Sequence, residues 1–272
     1  MATFAAPDGT RLTARLAGPD DAPPLILVHG FSMWSGVFAR QLEGPLATRF
    51  RIIAPDLRGH GASAVGPDLS ALGRGETWAG DLAAAIAAFA RRPPIVAGWS
   101  FGGRVVCAHL AAGGAAAGAV FINAVSDDVL PDGGSPHGPG AAALPEMMSN
   151  DPAIADAATT AFVDGMTADA LDLAARDRIL SAALGVPPTV RRAMRTMRSE
   201  NSALLNSLQI PVLAVHGARD RVIRPAAGLA IAAAAQRGTL AMMENVGHAP
   251  FLEDPDGFDA HVDAFAKTHN IP

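Results

Sequence analysis

The sequence predicts an α/β fold: a mostly parallel, doubly wound sheet that begins with an antiparallel hairpin. Three observations support this prediction. A Pro-Asp-Gly turn joins two short strand patterns at the start, continuously apolar runs recur along the chain, and helical patterns separate most of those runs. Runs that are apolar on both faces are typical of parallel strands. Alternation of strand and helix favours right-handed crossovers with helices on both faces of one sheet.

Residues 2–18, "ATFAAPDGTRLTARLAG", predict the hairpin, because Leu12, Ala14 and Leu16 alternate with polar residues in its second strand. Apolar runs then predict the further strands. These runs are "PLILVHG" (24–30), "RIIAPD" (51–56), "PIVAGWS" (94–100), "GAVFINA" (118–124), "PVLAVHG" (211–217) and "GTLAMMENVG" (238–247). The pattern "PDGFDAHVDAFAKTH" predicts a helix that closes the chain.

A long segment after the sixth strand interrupts this alternation. It begins with the turn-rich "SDDVLPDGGSPHGPG" and continues with several short helical patterns. A connection of this length inside a compact domain is functional or has structure of its own. We therefore predict a helical cap over residues 126–208, above the carboxyl end of the sheet. Residues 1–125 and 209–272 form the predicted core.

Composition limits the possible functions. Hydrophobic residues make up 50% of the 272 residues, enough for a sizeable core, and the net charge of −5 gives no basic surface for nucleic acid. The single Cys107 excludes an internal disulfide and a multi-cysteine metal site. No apolar run is long enough to span a membrane, and the start lacks a secretory signal pattern. We expect a soluble, cytoplasmic protein.

The pentapeptide "GWSFG" around Ser100 is the first candidate for chemistry. It follows an apolar strand pattern and precedes an apolar helical pattern. This context is typical of the G-x-S-x-G nucleophile elbow, in which a strained strand-to-helix turn exposes the serine hydroxyl. Small residues are needed two positions on either side, because neighbouring backbone passes close. We predict that Ser100 is a nucleophile.

A serine nucleophile needs a base, and the base needs an oriented carboxylate. His248 in "NVGHAPFLEDP" follows the last predicted strand, and Asp220 in "HGARDRVI" follows the strand before it. We predict a catalytic triad of Ser100, Asp220 and His248. Asp127 or Asp128, after the strand that ends in "FINAV", is the alternative acid.

Acyl transfer also needs donors for the oxygen that becomes negative. In an elbow of this kind, one donor is the backbone N–H of the residue after the nucleophile, here Phe101. The other comes from a loop after an early strand, here "HGFSMW", which indicates the N–H of Phe31. His29 is expected to brace this loop rather than to catalyse.

The motifs together resemble the α/β-hydrolase superfamily, in particular its cofactor-free haloperoxidase-like esterases and pimeloyl-carrier-protein methyl esterases. The resemblance rests on "LVHGFSMW", "APDLRGHGAS", "GWSFGG", "VHGARDRVI" and "GHAPFLEDP", in that order. It implies the α/β-hydrolase fold, with a cap after the sixth strand, and a serine hydrolase that uses no metal or organic cofactor. This branch resembles carboxylesterases, arylesterases, lactonases, perhydrolases and carbon–carbon bond hydrolases alike.

We predict a carboxylic-ester hydrolase for small to medium, largely apolar substrates. Lactonase, perhydrolase and carbon–carbon bond hydrolase activities remain alternatives, although relatives of the last kind usually carry Trp where Ala249 follows the histidine. Dehalogenases and epoxide hydrolases of this superfamily use a carboxylate nucleophile, and here Ser100 occupies that place. A noncatalytic small-ligand receptor is the alternative from another class, and the complete triad argues against it.

Substrate contacts are predicted from aromatic and methionine residues near the motifs. Trp99 lies in the elbow pattern and Trp34 in the loop that carries Phe31, and Met147 and Met148 in the cap are placed to close the pocket from above. Trp99 has burial beside its strand as the alternative.

The cap also contains the arginine-rich pattern "VRRAMRTMRSEN". Its spacing puts Arg191, Arg195 and Arg198 on one helical face, which would suit an acidic acyl carrier protein. The favoured interpretation is a solvated helix with Met194 and Met197 packed inward.

Overall fold

An eight-stranded sheet runs through the computed structural model, which describes residues 1–271. The strand order is β1-β2-β4-β3-β5-β6-β7-β8. The strands are β1 (Ala2–Ala5), β2 (Arg11–Ala17), β3 (Pro24–Val28), β4 (Arg51–Asp56), β5 (Ile95–Trp99), β6 (Gly118–Ile122), β7 (Val212–Gly217) and β8 (Gly238–Met243). The predicted fold class is confirmed: β2 pairs antiparallel with β1 and β4, and all the other pairs are parallel.

Helices follow most strands. The α-helices are α1 (Ala39–Glu43), α2 (Leu46–Arg49), α3 (Gly75–Phe89), α4 (Phe101–Ala111), α5 (Pro152–Gly165), α6 (Leu173–Leu184), α7 (Pro188–Met194), α8 (Ser202–Ser207), α9 (Pro225–Ala234), α10 (Pro250–Glu253) and α11 (Pro255–Thr268). Short 3₁₀ helices cover Ser35–Phe38, Leu69–Gly73, Pro139–Ala143 and Glu146–Met148. None of the helices within residues 1–271 is long and apolar enough to cross a membrane.

The central parallel strands form the hydrophobic core. Every residue of β3, β5, β6 and β7 is buried, which explains why these segments read as continuous apolar runs rather than as alternating ones. Burying one such aliphatic side chain contributes roughly 1.5–3 kcal/mol. The core therefore fixes the carboxyl ends of these four strands along one edge, where the loops carrying the predicted site residues begin.

The connection from β6 to β7 holds α5 to α8 and no strand of the sheet. A single antiparallel bridge joins His137 to Ile223, just beyond β7, and so ties the start of this segment to the core. We keep the name cap for residues 126–208. The limits of the cap as a separate unit remain a prediction from the sequence.

Candidate active site

Ser100 occupies a strained turn between β5 and α4. Its φ of 53° and ψ of −115° are unusual for a residue with a side chain, and such conformations cost about 1–3 kcal/mol. The surrounding backbone holds the turn: the Ser100 N–H donates to the Ile122 carbonyl, 3.0 Å, and its carbonyl accepts from the Gly103 N–H, 3.0 Å. The serine is partly exposed, whereas its neighbours Trp99 and Phe101 are buried.

Two glycines allow this turn to form. A Cβ atom added to Gly98 would overlap the backbone of Gly102, and one added to Gly102 would overlap the carbonyl oxygen of Val28. Both obstacles are backbone atoms of packed elements, the first turn of α4 and the end of β3, so neither can move aside cheaply. This is the physical reason for the glycines of the G-x-S-x-G pattern in this chain.

Asp220 and His248 meet at the neighbouring strand ends. The His248 Nδ1 lies 2.8 Å from the Asp220 Oδ2, and both side chains are fully buried. Burial opposes ionisation of Asp220, but the adjacent His248 and hydrogen bonds from His216 and His248 hold the pKa of this carboxyl well below its usual range. An ionised Asp220 fixes the tautomer with the proton on Nδ1, which leaves Nε2 of His248 as a base.

The backbone and Asn123 hold the Asp220 carboxylate in place. Its Oδ1 accepts from the N–H groups of Val222, 2.7 Å, and Ile223, 3.0 Å. Its Oδ2 also accepts from Nδ2 of Asn123, 2.6 Å, which donates in addition to the Gly247 carbonyl, 2.9 Å. Asn123 is buried just after β6 with a positive φ of 42°. It thus connects the acid to the loop that carries the histidine.

The alternative acids face other partners. Asp127 accepts hydrogen bonds from Ser126 and from the N–H groups at the start of α8. Asp128 pairs with Arg104, 2.6 Å, and accepts from the Ser199 N–H. Asp220 is the carboxylate hydrogen-bonded to His248.

The loop carrying His248 is attached on several sides. The His248 carbonyl accepts from the Trp99 indole N–H, 2.7 Å, and the His248 N–H donates to the Met166 carbonyl of the cap, 2.8 Å. The Glu253 carboxylate accepts from the N–H groups flanking His248, those of Gly247 and Ala249, and from that of Ala168 in the cap. His248 is therefore held against the residue that precedes Ser100.

The two residues whose amides are predicted to bind an oxyanion border the cavity that opens at Ser100. Phe31, in the loop after β3, and Phe101, the first residue of α4, both line the cavity at Ser100. Within residues 1–271 neither N–H donates to another backbone or side-chain group. The first N–H groups of a helix have no partner inside the helix, so the Phe101 amide is free to act as a donor.

Two buried histidines, His29 and His60, pack together at the start of the loop that carries Phe31. The His29 Nε2 accepts from the Leu57 N–H, 2.9 Å, so its Nδ1 carries the proton and donates to the Gly30 carbonyl, 2.9 Å. The His60 ring lies 5.2 Å from that of His29, and its Nδ1 bonds to the Arg58 carbonyl. Burial lowers the pKa of both, that of His60 to about 3. These contacts are those of a brace, as expected for His29.

A cavity of about 210 Å³ opens at Ser100 between core and cap. Its apolar wall includes side chains from both units: Phe31, Phe101, Leu144, Phe162, Met194 and Ile223. Its polar lining consists of Ser100, Arg104, Asp128, His137, Arg195 and Arg198.

The structure corrects the substrate contacts predicted from the sequence. None of Trp34, Trp99, Met147 and Met148 lines this cavity. Trp99 is buried and bonds to the His248 carbonyl, and Met147 is buried within the cap. Trp34 packs against the core, and the carbonyl of the half-buried Met148 accepts from Arg192. The cap side chains that line the cavity include Phe162 and Met194, instead of the predicted Met147 and Met148.

The predicted arginine face is also not formed. Helix α7 ends at Met194, so Arg198 lies beyond it, and Arg191 is buried. Arg191 donates to the carbonyls of Met147 and Ala183 and to the Thr159 hydroxyl, and so ties the cap together. Met194 and Met197 are packed inward, as the favoured interpretation expected.

Several residues of the site were not found by sequence reasoning. Glu253 lies five residues after His248, in "GHAPFLEDP". Its spacing alone does not indicate that its carboxylate accepts from the N–H groups on either side of His248. Asn123 follows a predicted strand and Arg104 follows a pair of glycines, and neither position has a sequence pattern that indicates a role in the site. His137, in a turn-rich stretch, reaches the cavity through a bridge that no local pattern reveals.

Comparison with known proteins identifies the family. A model of the "Alpha/beta hydrolase family" matches residues 25–261. The chain belongs to the alpha/beta hydrolase family. The resemblance inferred from the motifs is confirmed.

Relatives of this hydrolase include esterases. A pimeloyl-[acyl-carrier protein] methyl ester esterase of Chromobacterium violaceum is 26% identical over 257 residues, which cover 87% of this chain and 91% of that protein. A structure assigned as an aryl esterase from Burkholderia cenocepacia has a TM-score of 0.92 and 30% identity, with 100% of this chain and 99% of that chain covered. An esterase from a Rhodococcus species has a TM-score of 0.88 and 34% identity, with 98% of each chain covered. These similarities support a carboxylesterase-type hydrolase.

The hydrogen bond between Asp220 and His248 yields a prediction with an internal control. Asp220→Asn replaces the acceptor by an amide and favours the wrong histidine tautomer, so we expect kcat to fall by about 10⁴-fold. Asp127→Asn changes a carboxylate that faces α8, and it should retain most of its turnover. Steady-state hydrolysis of a p-nitrophenyl ester by both variants is the measurement. A larger loss in Asp127→Asn than in Asp220→Asn would contradict the assignment.

The buried His60 predicts an acid-sensitive stability. Its pKa lies near 3 in the folded protein and near 6.5 in the unfolded chain, so the unfolded state binds more protons between these values. The contribution of neutral His60 is fully present above about pH 6.5 and is lost as the pH falls, by up to about 1.4 kcal/mol per pH unit. Urea unfolding at several pH values should therefore show a shallower decline for His60→Asn than for the wild type. Equal slopes would contradict this account.

Proposed function

We propose that the chain hydrolyses small carboxylic esters through an acyl-enzyme on Ser100. One observation carries the proposal: His248, in a buried 2.8 Å contact with Asp220, packs on Trp99, the residue before a serine that the backbone holds at φ 53°. Binding a ligand does not require this arrangement, whereas nucleophilic catalysis does. The receptor alternative has no feature of comparable specificity in its favour.

The proposed reaction begins with attack of the Ser100 Oγ on the ester carbonyl. His248 Nε2 takes the serine proton as the C–O bond to Oγ forms, and Asp220 stabilises the resulting imidazolium. The tetrahedral intermediate carries a negative oxygen. The amides of Phe31 and Phe101 are the groups proposed to bind it, and removing one such donor typically costs about 3 kcal/mol.

Collapse of the intermediate completes acylation. The bond to the alkoxy group breaks, and His248 gives its proton to the departing alcohol. Water then attacks the acyl-enzyme with His248 as base, and the same two amides bind the second oxyanion. The acid leaves, and Ser100 regains its proton.

The cavity supports a small substrate. Its volume of about 210 Å³ lies below the 300–1,000 Å³ typical of sites for drug-sized ligands. Its apolar wall suits a short hydrocarbon chain. A carrier-protein partner has less support, because Arg191 is buried and the basic face predicted for docking is not formed.

Hydrolysis of p-nitrophenyl esters from acetate to octanoate tests the proposal. Wild-type protein should prefer short acyl chains, because a cavity of this volume has little room for a long one. Ser100→Ala should lower kcat by at least about 10⁴-fold across the series, since the attacking oxygen is absent. Unchanged turnover in Ser100→Ala would contradict the proposed mechanism.

A further inference from the structure

The cavity at Ser100 is positively charged, although the protein as a whole is acidic. Three arginines and one aspartate line it, which gives these residues a formal charge of +2, against −5 for the whole chain. A cleft with one sign of charge concentrates ligands of the opposite sign. Ester hydrolysis itself requires no such excess on the substrate wall.

Two of these arginines have no ion-pair or hydrogen-bonding partner for their side chains among residues 1–271. The third, Arg104, is buried, forms an ion pair with Asp128 and donates a hydrogen bond to the Met197 carbonyl. Arg195 and Arg198 are exposed at the cavity, and within residues 1–271 neither forms an ion pair or donates a side-chain hydrogen bond. They follow α7 and are therefore brought to Ser100 by the fold of the cap.

The cations lie close enough to repel one another. Partial burial, then the positive charges of Arg104 and Arg198, lower the pKa of Arg195, although Asp128 opposes this shift. His137, on the same cavity, has a buried Nδ1 without a hydrogen-bond partner. Burial and the charges of Arg195 and Arg104 lower its pKa to about 4, so His137 adds no charge of its own at neutral pH.

We infer that Arg195 and Arg198 bind a free carboxylate on the substrate, so that the preferred esters are monoesters of short dicarboxylic acids. This inference rests on the proposed esterase function and specifies its substrate class. The guanidinium fork matches the two oxygens of a carboxylate. Ser100 and both arginines line one small cavity, and the apolar wall between core and cap suits the methylene chain that joins the two ends of such a molecule.

The exposure of the two arginines makes this binding physically reasonable. A carboxylate at the cavity mouth keeps part of its hydration, so it does not bear the full desolvation cost of a buried ion pair. The same exposure makes the attraction sensitive to salt. Arg104 is paired with Asp128 and is assigned no contact with the substrate, so the net charge of +2 comes from Arg195 and Arg198.

A matched pair of substrates tests the inference. Monoethyl glutarate carries the free carboxylate, and ethyl glutaramate has an uncharged amide of nearly the same shape in its place. For wild-type protein at low salt and neutral pH, kcat/KM should be roughly tenfold higher for the carboxylate. The ratio should fall as sodium chloride is added. A wild-type ratio of one or less would overturn the inference.

Variants separate the two arginines from general effects of charge. The double variant Arg195→Gln/Arg198→Gln should bring the ratio to within about twofold of one, mainly through a higher KM for monoethyl glutarate. Arg178→Gln removes a positive charge from an exposed position on α6 that does not line the cavity, and it should keep the wild-type ratio. Thermal melting checks that each variant is folded. A double variant with the full wild-type ratio would also overturn the inference.

Binding to Ser100→Ala distinguishes failure of the inference from failure of the proposed function. Calorimetric titration with each of the two esters requires no turnover. Preference for monoethyl glutarate without hydrolysis of any ester by the wild type would support the anion site and contradict the esterase. Hydrolysis of p-nitrophenyl acetate without any binding preference would support the esterase and contradict the anion site.

Discussion

The backbone at Ser100 is the constraint on which the rest of the site depends. A serine at φ 53° is held there by hydrogen bonds to β6 and to the first turn of α4. Glycines at 98 and 102 are required because β5, α4 and β3 approach one another more closely than any side chain permits. The buried central strands offset the cost of this turn, because β5, which leads into it, is paired with β3 and β6.

The remaining groups are positioned from that turn outward. Trp99 belongs to β5 and donates to the carbonyl of His248, so the strand that leads to Ser100 also holds His248. Asn123, at the end of the next strand, connects Asp220 to the loop of His248. Glu253 and Met166 then tie that loop to the cap. The cap consequently supports His248 and also forms a wall of the cavity.

The sheet, and the position of the three proposed reactive residues at the ends of its strands, could be predicted from sequence because their signals are local. Ser100 lies in a five-residue pattern whose glycines have a steric cause, and Asp220 and His248 follow apolar strands that any parallel sheet brings to one edge. The cavity wall could not be predicted in this way. Trp99 lies within a motif but is buried. Arg195 and Phe162 reach the cavity, and Met147 is buried, only through packing of the cap, which has no motif of its own.

Covalent labelling tests the central claim most directly, namely that the turn at Ser100 presents a serine activated by His248. Wild-type protein is treated with a fluorophosphonate, and the modified peptide is identified by mass spectrometry. The account predicts one adduct, on Ser100, formed quickly in the wild type and at least a hundredfold more slowly in His248→Ala, since the base is then absent. Labelling of another residue, or equal rates in the two proteins, would contradict it.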